Sequence, residues 1–177
     1  MDESKEKIEF TQNLLNAFNS LPSISFKKGH ILTKKGAIEN KLYYIEDGAV
    51  KVYYQSELNE HIIRLGYNGS ILNSLTSFLT QKPSELVIKT LRETKIKVLK
   101  RSEVMNIVTQ SIGYQEFLEN LLIQQLEREV DLLQDSPNLR LERVLKRSPQ
   151  LFQYVPLKYI ASYLRMTPET LSRIRKS

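Results

Sequence analysis

Apolar and polar positions change texture along the chain. Between Lys7 and Asn19 the apolar residues Ile8, Phe10, Leu14, Leu15 and Phe18 recur at helical intervals, and Leu21-Pro22 closes the predicted helix. From Ile24 to about Leu99 the pattern shortens. Runs of β-branched and aromatic residues (Ile31–Thr33, Leu42–Ile45, Val50–Tyr54, Ile62–Leu65, Glu85–Ile88 and Lys95–Leu99) alternate with turn residues. Strands this short, roughly ten residues apart, predict an antiparallel barrel or sandwich. Gly29, Gly36, Gly48 and Gly69 fall between the runs, where a backbone needing positive φ would place them.

Helical spacing returns near Ser102. Glu103–Gln110 predicts a short helix, and Gly113–Gln134 a long one without proline or interior glycine. In the long helix Leu118, Leu122, Leu126, Val130 and Leu133 form a stripe about as long as a coiled-coil seam. Such a helix either packs on its own barrel or pairs with a second copy. Ser136-Pro137 ends it and marks a domain boundary. Leu139–Lys146 predicts another short helix, Ser148-Pro149 breaks it, and Val155-Pro156 introduces a final pair. The chain shows no internal repeat and no low-complexity stretch.

The final pair carries the densest signals. Pro156 and Leu157 open a helix with Ile160, Ala161 and Leu164 on one face, and Arg165-Met166 makes a tight connection. Thr167 is an N-cap, Pro168 suits the first helical position, and Glu169 adds negative charge to the first turn. Leu171 and Ile174 turn the second helix inward, and Ala161 is small enough for two steeply crossed helices to touch. This is the helix-turn-helix pattern, in which the second helix enters the major groove of DNA. Glu169, Thr170, Arg173 and Lys176 then emerge on the opposite side. Arginine pairs bidentately with guanine, and glutamate accepts from cytosine. Thr167, Thr170, Ser172 and Arg175 are the residue types that hold phosphates.

Charge sharpens this picture. From Ser136 onward nine lysines and arginines oppose only Glu142 and Glu169, a surplus of seven, while the rest of the chain is one unit negative. A basic block confined to one end predicts a polyanionic partner, here double-stranded DNA. Other chemistry is thin. The chain has no cysteine, which excludes disulfides, iron–sulfur clusters and thiol catalysis. His30 and His61 lie far apart and are expected as exposed or half-buried strand residues, not metal ligands. No Ser-His-Asp set or glycine-rich phosphate loop is visible, so no catalytic residue is expected, and a metal-using barrel enzyme lacks its histidine cluster. No run approaches the roughly 18 apolar residues of a membrane span. The charged start Met1-Asp2-Glu3-Ser4-Lys5-Glu6-Lys7 lacks a signal-peptide core, so a cytoplasmic protein away from membranes is expected.

With glycine-punctuated strands, a long helix and the tail IASYLRMTPETLSRIRK, the chain resembles the Crp/Fnr family of bacterial regulators over nearly its whole length. The resemblance implies an α+β fold. Residues 1–111 would form an antiparallel β-roll (a double-stranded β-helix or jelly roll) acting as sensor, 112–135 a dimerisation helix, and 136–177 a short, wing-poor helix-turn-helix domain. It also implies a homodimer on double-stranded DNA, with a small-molecule effector of unknown identity and RNA polymerase as further partners. Glu169 and Arg173 align with the family's base-reading glutamate and arginine. Pro168 replaces another contact residue, often arginine. Arg165 replaces the turn glycine, at a cost on the order of 1 kcal/mol if it adopts a left-handed conformation.

The sensor departs from the family's pattern. Members that bind cyclic nucleotides carry Gly-Glu-Leu at the start of a short helix and Arg-Ser/Thr-Ala about ten residues later, for the ribose hydroxyl and the cyclic phosphate. The corresponding pocket here comprises Gly69, Asn73, Ser74, Leu75, Ser84 and Glu85. Asn73-Ser74 stand in place of Gly-Glu, Ser84 in place of the arginine, and Glu85 would bring negative charge towards the phosphate. Cyclic AMP is therefore not expected to bind in the family's manner, and no cofactor is expected. A second reading is a ligand-binding module that regulates a protein partner and keeps a vestigial helix-turn-helix.

Overall fold

A computed structural model describes residues 9–176 of the chain. Helix α1 (Phe10–Asn19) leads into strands β1 (Ile24–Phe26), β2 (Ile31–Thr33), β3 (Lys41–Asp47), β4 (Ala49–Gln55), β5 (Glu60–Tyr67) and β6 (Ile71–Leu72). Helix α2 (Leu75–Thr80) precedes β7 (Leu86–Thr90) and β8 (Thr94–Lys100). Helices α3 (Arg101–Gln110), α4 (Tyr114–Leu132), α5 (Pro137–Arg147), α6 (Leu151–Tyr154), α7 (Leu157–Tyr163) and α8 (Pro168–Ile174) complete the chain. The fold is thus α+β.

Each apolar run expected as a strand lies within or largely within one. Three elements escaped the pattern: β1 and β6 are too short to show alternation, and α6 has only four residues. The first helix starts later than its periodicity suggests. The Glu9 side chain caps it, accepting from the amides of Thr11 and Gln12 at 3.1 and 3.2 Å, so the helix opens at Phe10. Lys7 and Ile8 lie outside the described residues. His30 precedes β2 instead of belonging to a strand, and both histidines are exposed.

The strands form two antiparallel sheets, ordered β1-β8-β3-β6 and β2-β7-β4-β5. Tyr43, Ile45, Val50, Val52, Leu72, Ile88 and Ile96 fill the space between them. Side chains buried this way contribute about 1.5–3 kcal/mol each. The turn from β3 to β4 needs glycine on two counts. Gly48 has φ +110°, and a Cβ there would sit 2.7 Å from the Glu93 carbonyl oxygen.

Helix α4 divides its apolar surface. Near its start Tyr114 and Phe117 close on Phe10, each with ring centroids 5.0 Å away and edge to face. Further along, Leu122, Ile123, Leu126, Val130 and Leu133 remain exposed, from 45% for Val130 to 78% for Leu133. The β-roll therefore covers only the beginning of the stripe.

The far end of α4 is held by charge. Strand β5 carries a bulge: Val52 pairs with Arg64 and Tyr53 with Ile62, so Ile63 is left without a partner across the ladder. Arg128 takes the carbonyls beside it, donating through Nε to Ile63 O at 2.5 Å and through Nη2 to Ile62 O at 2.9 Å. Its guanidinium also lies 4.3 Å from the centre of the Tyr163 ring in α7. One turn on, the buried Asp131 accepts from Arg143 Nε at 2.6 Å and pairs with Arg147, joining α4 to α5. Beyond α4, Leu141, Val144, Leu151, Val155, Ile160, Ala161, Leu164 and Leu171 form a core that also takes in Ala49 and Leu91 of the roll. The boundary at Ser136-Pro137 is therefore a helix start and not a free linker. Ser136 caps α5 and Pro137 occupies its first turn.

Burial alone would raise the Asp131 pKa, but hydrogen bonds and charge from Arg147 and Arg143 prevail and hold it below the ordinary value of 3.8. A depressed carboxylate pKa contributes stability that is complete above its unfolded value and lost as pH falls through its folded value. Asp131→Asn should therefore destabilise the protein by about 3 kcal/mol at neutral pH, since it strands two arginines. The gap between variant and wild type should narrow on acidification below roughly pH 4. Urea titrations at neutral and acid pH check both statements, and a gap that is constant with pH would contradict the second.

Candidate nucleic-acid interface and sensor pocket

Local chemistry shapes the carboxy-terminal hairpin. Ile160, Ala161, Leu164 and Leu171 are all at or below 1% exposure, so α7 and α8 meet through a dry face. The connection closes through Met166 N donating to Ala161 O at 3.0 Å and Arg165 N to Ser162 O at 3.2 Å. Arg165 sits at φ +53°, the left-handed conformation its place in the turn demands. The Thr167 side chain accepts from Thr170 N at 3.2 Å, Pro168 stands in the first turn, and the cap is complete.

The expected contact residues do not all share one surface. Glu169, Ser172, Arg173 and Lys176 line an open groove together with Pro168. Their offsets of three, four and seven residues are those of one helix face. Thr170 lies outside that set, since its hydroxyl meets that of Thr167 at 3.1 Å and both belong to the cap. Arg175 is on another flank, its guanidinium 4.2 Å from the centre of the Phe152 ring in α6. Arg173, Arg175, Lys176, Glu169 and Thr167 are exposed, while Ser172 and Thr170 are half-buried.

The expected effector residues are likewise distributed over several environments. Ser74 and Ser84 do meet, Oγ to Oγ at 2.7 Å, at 1% and 3% exposure. Ser84 Oγ also donates to Leu86 O at 2.9 Å and accepts from Leu86 N at 3.0 Å. Two short hydroxyls thus bond directly across the space between the start of α2 and the start of β7. Asn73 and Leu75 line a small apolar hollow against Leu118 and Leu121 of α4, where Asn73 Nδ2 is buried without a partner. Gly69 belongs to a separate cleft facing α4 and α5, and Glu85 is exposed. The glycine-to-glutamate run of the sequence comparison is therefore not one cavity here.

Sequence reasoning missed a polar cluster inside the roll. Glu39, 3% exposed, accepts from Thr33 Oγ1 at 2.5 Å and from Lys41 N at 3.1 Å, and its own amide donates to Ser77 Oγ at 3.0 Å. Burial, with the Glu39 charge nearby, pushes the Tyr43 phenol well above its ordinary value. A lone glutamate between strand runs carries no sequence signal of burial. Arg128 was missed too, because the bulge that frees its carbonyl partners exists only once β4 and β5 are paired. Among the described residues no group of His, Cys, Asp and Glu could hold a metal ion, and no helix is long and apolar enough to cross a membrane.

A sequence profile of the cyclic nucleotide-binding domain matches residues 23–111. No curated protein matches the chain in sequence. Among solved structures, FixK2 from Bradyrhizobium japonicum superposes with a TM-score of 0.69 at 17% identity, over 88% of this chain and 83% of that one. The catabolite activator protein of Thermus thermophilus gives 0.58 at 18% identity, over 93% and 81%. A CooA mutant from Carboxydothermus hydrogenoformans gives 0.62 at 20% identity, over 91% and 77%. Similarity at this level of identity concerns the fold.

Ser74 and Ser84 bond each other at the positions where the cyclic-nucleotide pattern carries a carboxylate and a guanidinium. Cyclic AMP at millimolar concentration should accordingly leave the melting temperature unchanged, because a ligand that binds only the folded state must raise it. A saturable rise in a thermal-shift titration would contradict this.

Proposed function

The chain belongs to the cyclic nucleotide-binding domain family, and from that premise we propose that it is a dimeric, DNA-binding transcription regulator of the Crp/Fnr type, working in the cytoplasm with a nucleotide pocket that has lost its anion-binding pair. The observation that carries the reading is the α7–α8 hairpin. It has a dry contact face, a capped second helix, and a groove on that helix lined by Glu169, Ser172, Arg173 and Lys176. Seven surplus positive charges from Ser136 onward supply the field that draws in a polyanion. Thr167 and Thr170, engaged in the cap, approach phosphates through the start of α8, and Arg175 meets the backbone from the flank it shares with Phe152.

The uncovered stripe on α4 supports the dimer. Leu122, Leu126, Val130 and Leu133 are exposed in a single row, and apolar patches of this kind mark interfaces. Pairing two such helices would bury the row and place two α8 helices on one face of the assembly, as a two-fold DNA site requires.

Arg173→Ala should cost about 1–3 kcal/mol per half-site, so preference for specific over scrambled DNA falls at least tenfold. Arg175→Ala should instead weaken all sequences alike and flatten the salt dependence by about one unit of slope. Fluorescence anisotropy on a selected operator and on scrambled DNA measures both. Retained preference in Arg173→Ala would show that another face reads the bases. Absence of any DNA binding by the wild type would favour a module acting on a protein partner.

Light scattering of the wild type at micromolar concentration should give a dimer, and Leu126→Glu should give a monomer with weakened DNA binding. A wild type that stays monomeric would remove the α4 interface from the proposal.

A further inference from the structure

A cleft of about 450 Å³ opens between β5, the end of α4, and the α5–α7 part of the carboxy-terminal domain. It is separate from the Ser74–Ser84 contact, and neither serine lines it. Its charged lining consists of Arg64, Arg128 and Arg147, with no carboxylate among its wall residues. The three cations are not equally satisfied. Arg147 is neutralised from outside the cleft by Asp131 and, at 3.8 Å, by Glu127. Arg128 is held by two neutral carbonyls and the Tyr163 ring and forms no ion pair among the described residues, with Asp131 near enough to favour its charge. Arg64 meets no hydrogen-bond acceptor and no carboxylate among the described residues, and it is half-buried. Burial pushes its guanidinium below the ordinary value, with Tyr163 acting in the opposite direction.

An arginine taken out of water without a partner is costly, and its fork of donors matches an oxyanion. The bulge at Ile63 sets the register that places Arg64 on this wall. Gln124 and Gln125 of α4 add uncharged polar groups to the same cleft.

We propose that this cleft is an effector site for a small phosphorylated molecule, with Arg64 and Arg128 receiving a phosphate dianion. Two arginines outside any ion pair match the charge of a phosphate monoester, about −1.5 to −2 near neutral pH. The cleft volume suits a small metabolite rather than a macromolecule. The role as effector rests on the regulator reading given above. Because Arg64 belongs to β5 and Arg128 to the end of α4, where α5 and α7 are fastened, an anion held between them would bias the angle between sensor and DNA-binding domain.

The test uses the full chain, with inorganic phosphate as the probe and chloride balancing ionic strength. Phosphate should raise the melting temperature saturably, and calorimetry should show Arg64→Gln weakening it by at least about tenfold. Arg64→Lys, which keeps the charge without the fork, should fall between the two and guards against a misfolded glutamine variant. The double variant Arg173→Ala/Arg175→Ala should keep the response, which separates the cleft from the DNA surface. No saturable shift in the wild type overturns the proposal. So does a response unchanged in both Arg64 variants, one lost in the double variant, or a stronger response to citrate than to phosphate. DNA binding is measured in parallel without phosphate. Binding to DNA with no phosphate response removes the effector site and leaves the regulator. A phosphate response without DNA binding keeps the site and removes the regulator.

Discussion

The arrangement of the molecule depends on how the end of α4 is fastened. Arg128 and Asp131 lie three residues apart, on one side of the helix. Arg128 reaches the bulged carbonyls of β5 and the ring of Tyr163, and Asp131 reaches Arg143 and Arg147 of α5. A buried aspartate tolerates its position only when such partners are present. One turn of helix therefore ties the roll, α5 and α7 together. The apolar stripe, on another side of the same helix, stays exposed as a consequence.

A second attachment reinforces the first. Lys51, 4% exposed within β4, pairs with Glu60 and lies 4.4 Å from the ring of Tyr53 and 5.2 Å from that of Tyr159 in α7. Tyr159 and Tyr163 also pack on Tyr53, Ile62 and Val87 of the roll. The hairpin proposed to read DNA thus rests on the sensor sheet through aromatic rings and two cations. They lie beside the apolar core in which the carboxy-terminal helices meet Ala49 and Leu91 of the roll.

The polar groups inside the roll satisfy one another. The interior needs no ligand charge to be satisfied: Ser74 bonds Ser84, and Glu39 is met by Thr33 and Lys41. The sheet core of Ile45, Val50, Ile88 and Ile96 is independent of those bonds. The cleft proposed for an anion lies elsewhere, between β5, α4 and the carboxy-terminal helices.

Much of this was legible in the chain because it is local. Strand runs, the long helix and the capped hairpin follow from side-chain period, proline and glycine placement, and the Thr167 cap, each decided within a few residues. Arg165 stands where the resembling family has a turn glycine, and it adopts the left-handed conformation with φ +53°. What the chain alone could not show depends on pairing across long separations. The bulge at Ile63 exists only in the register of β4 with β5, and it creates the acceptors for Arg128 and the place of Arg64. Ser172 lines the groove with Glu169, Arg173 and Lys176, while the Thr170 hydroxyl meets that of Thr167. The six residues assigned to one pocket separated because α2, β7 and α4 divide the space among them. Period and capping are properties of adjacent residues, whereas the partner of a buried charge is set by whichever distant segment the fold brings beside it.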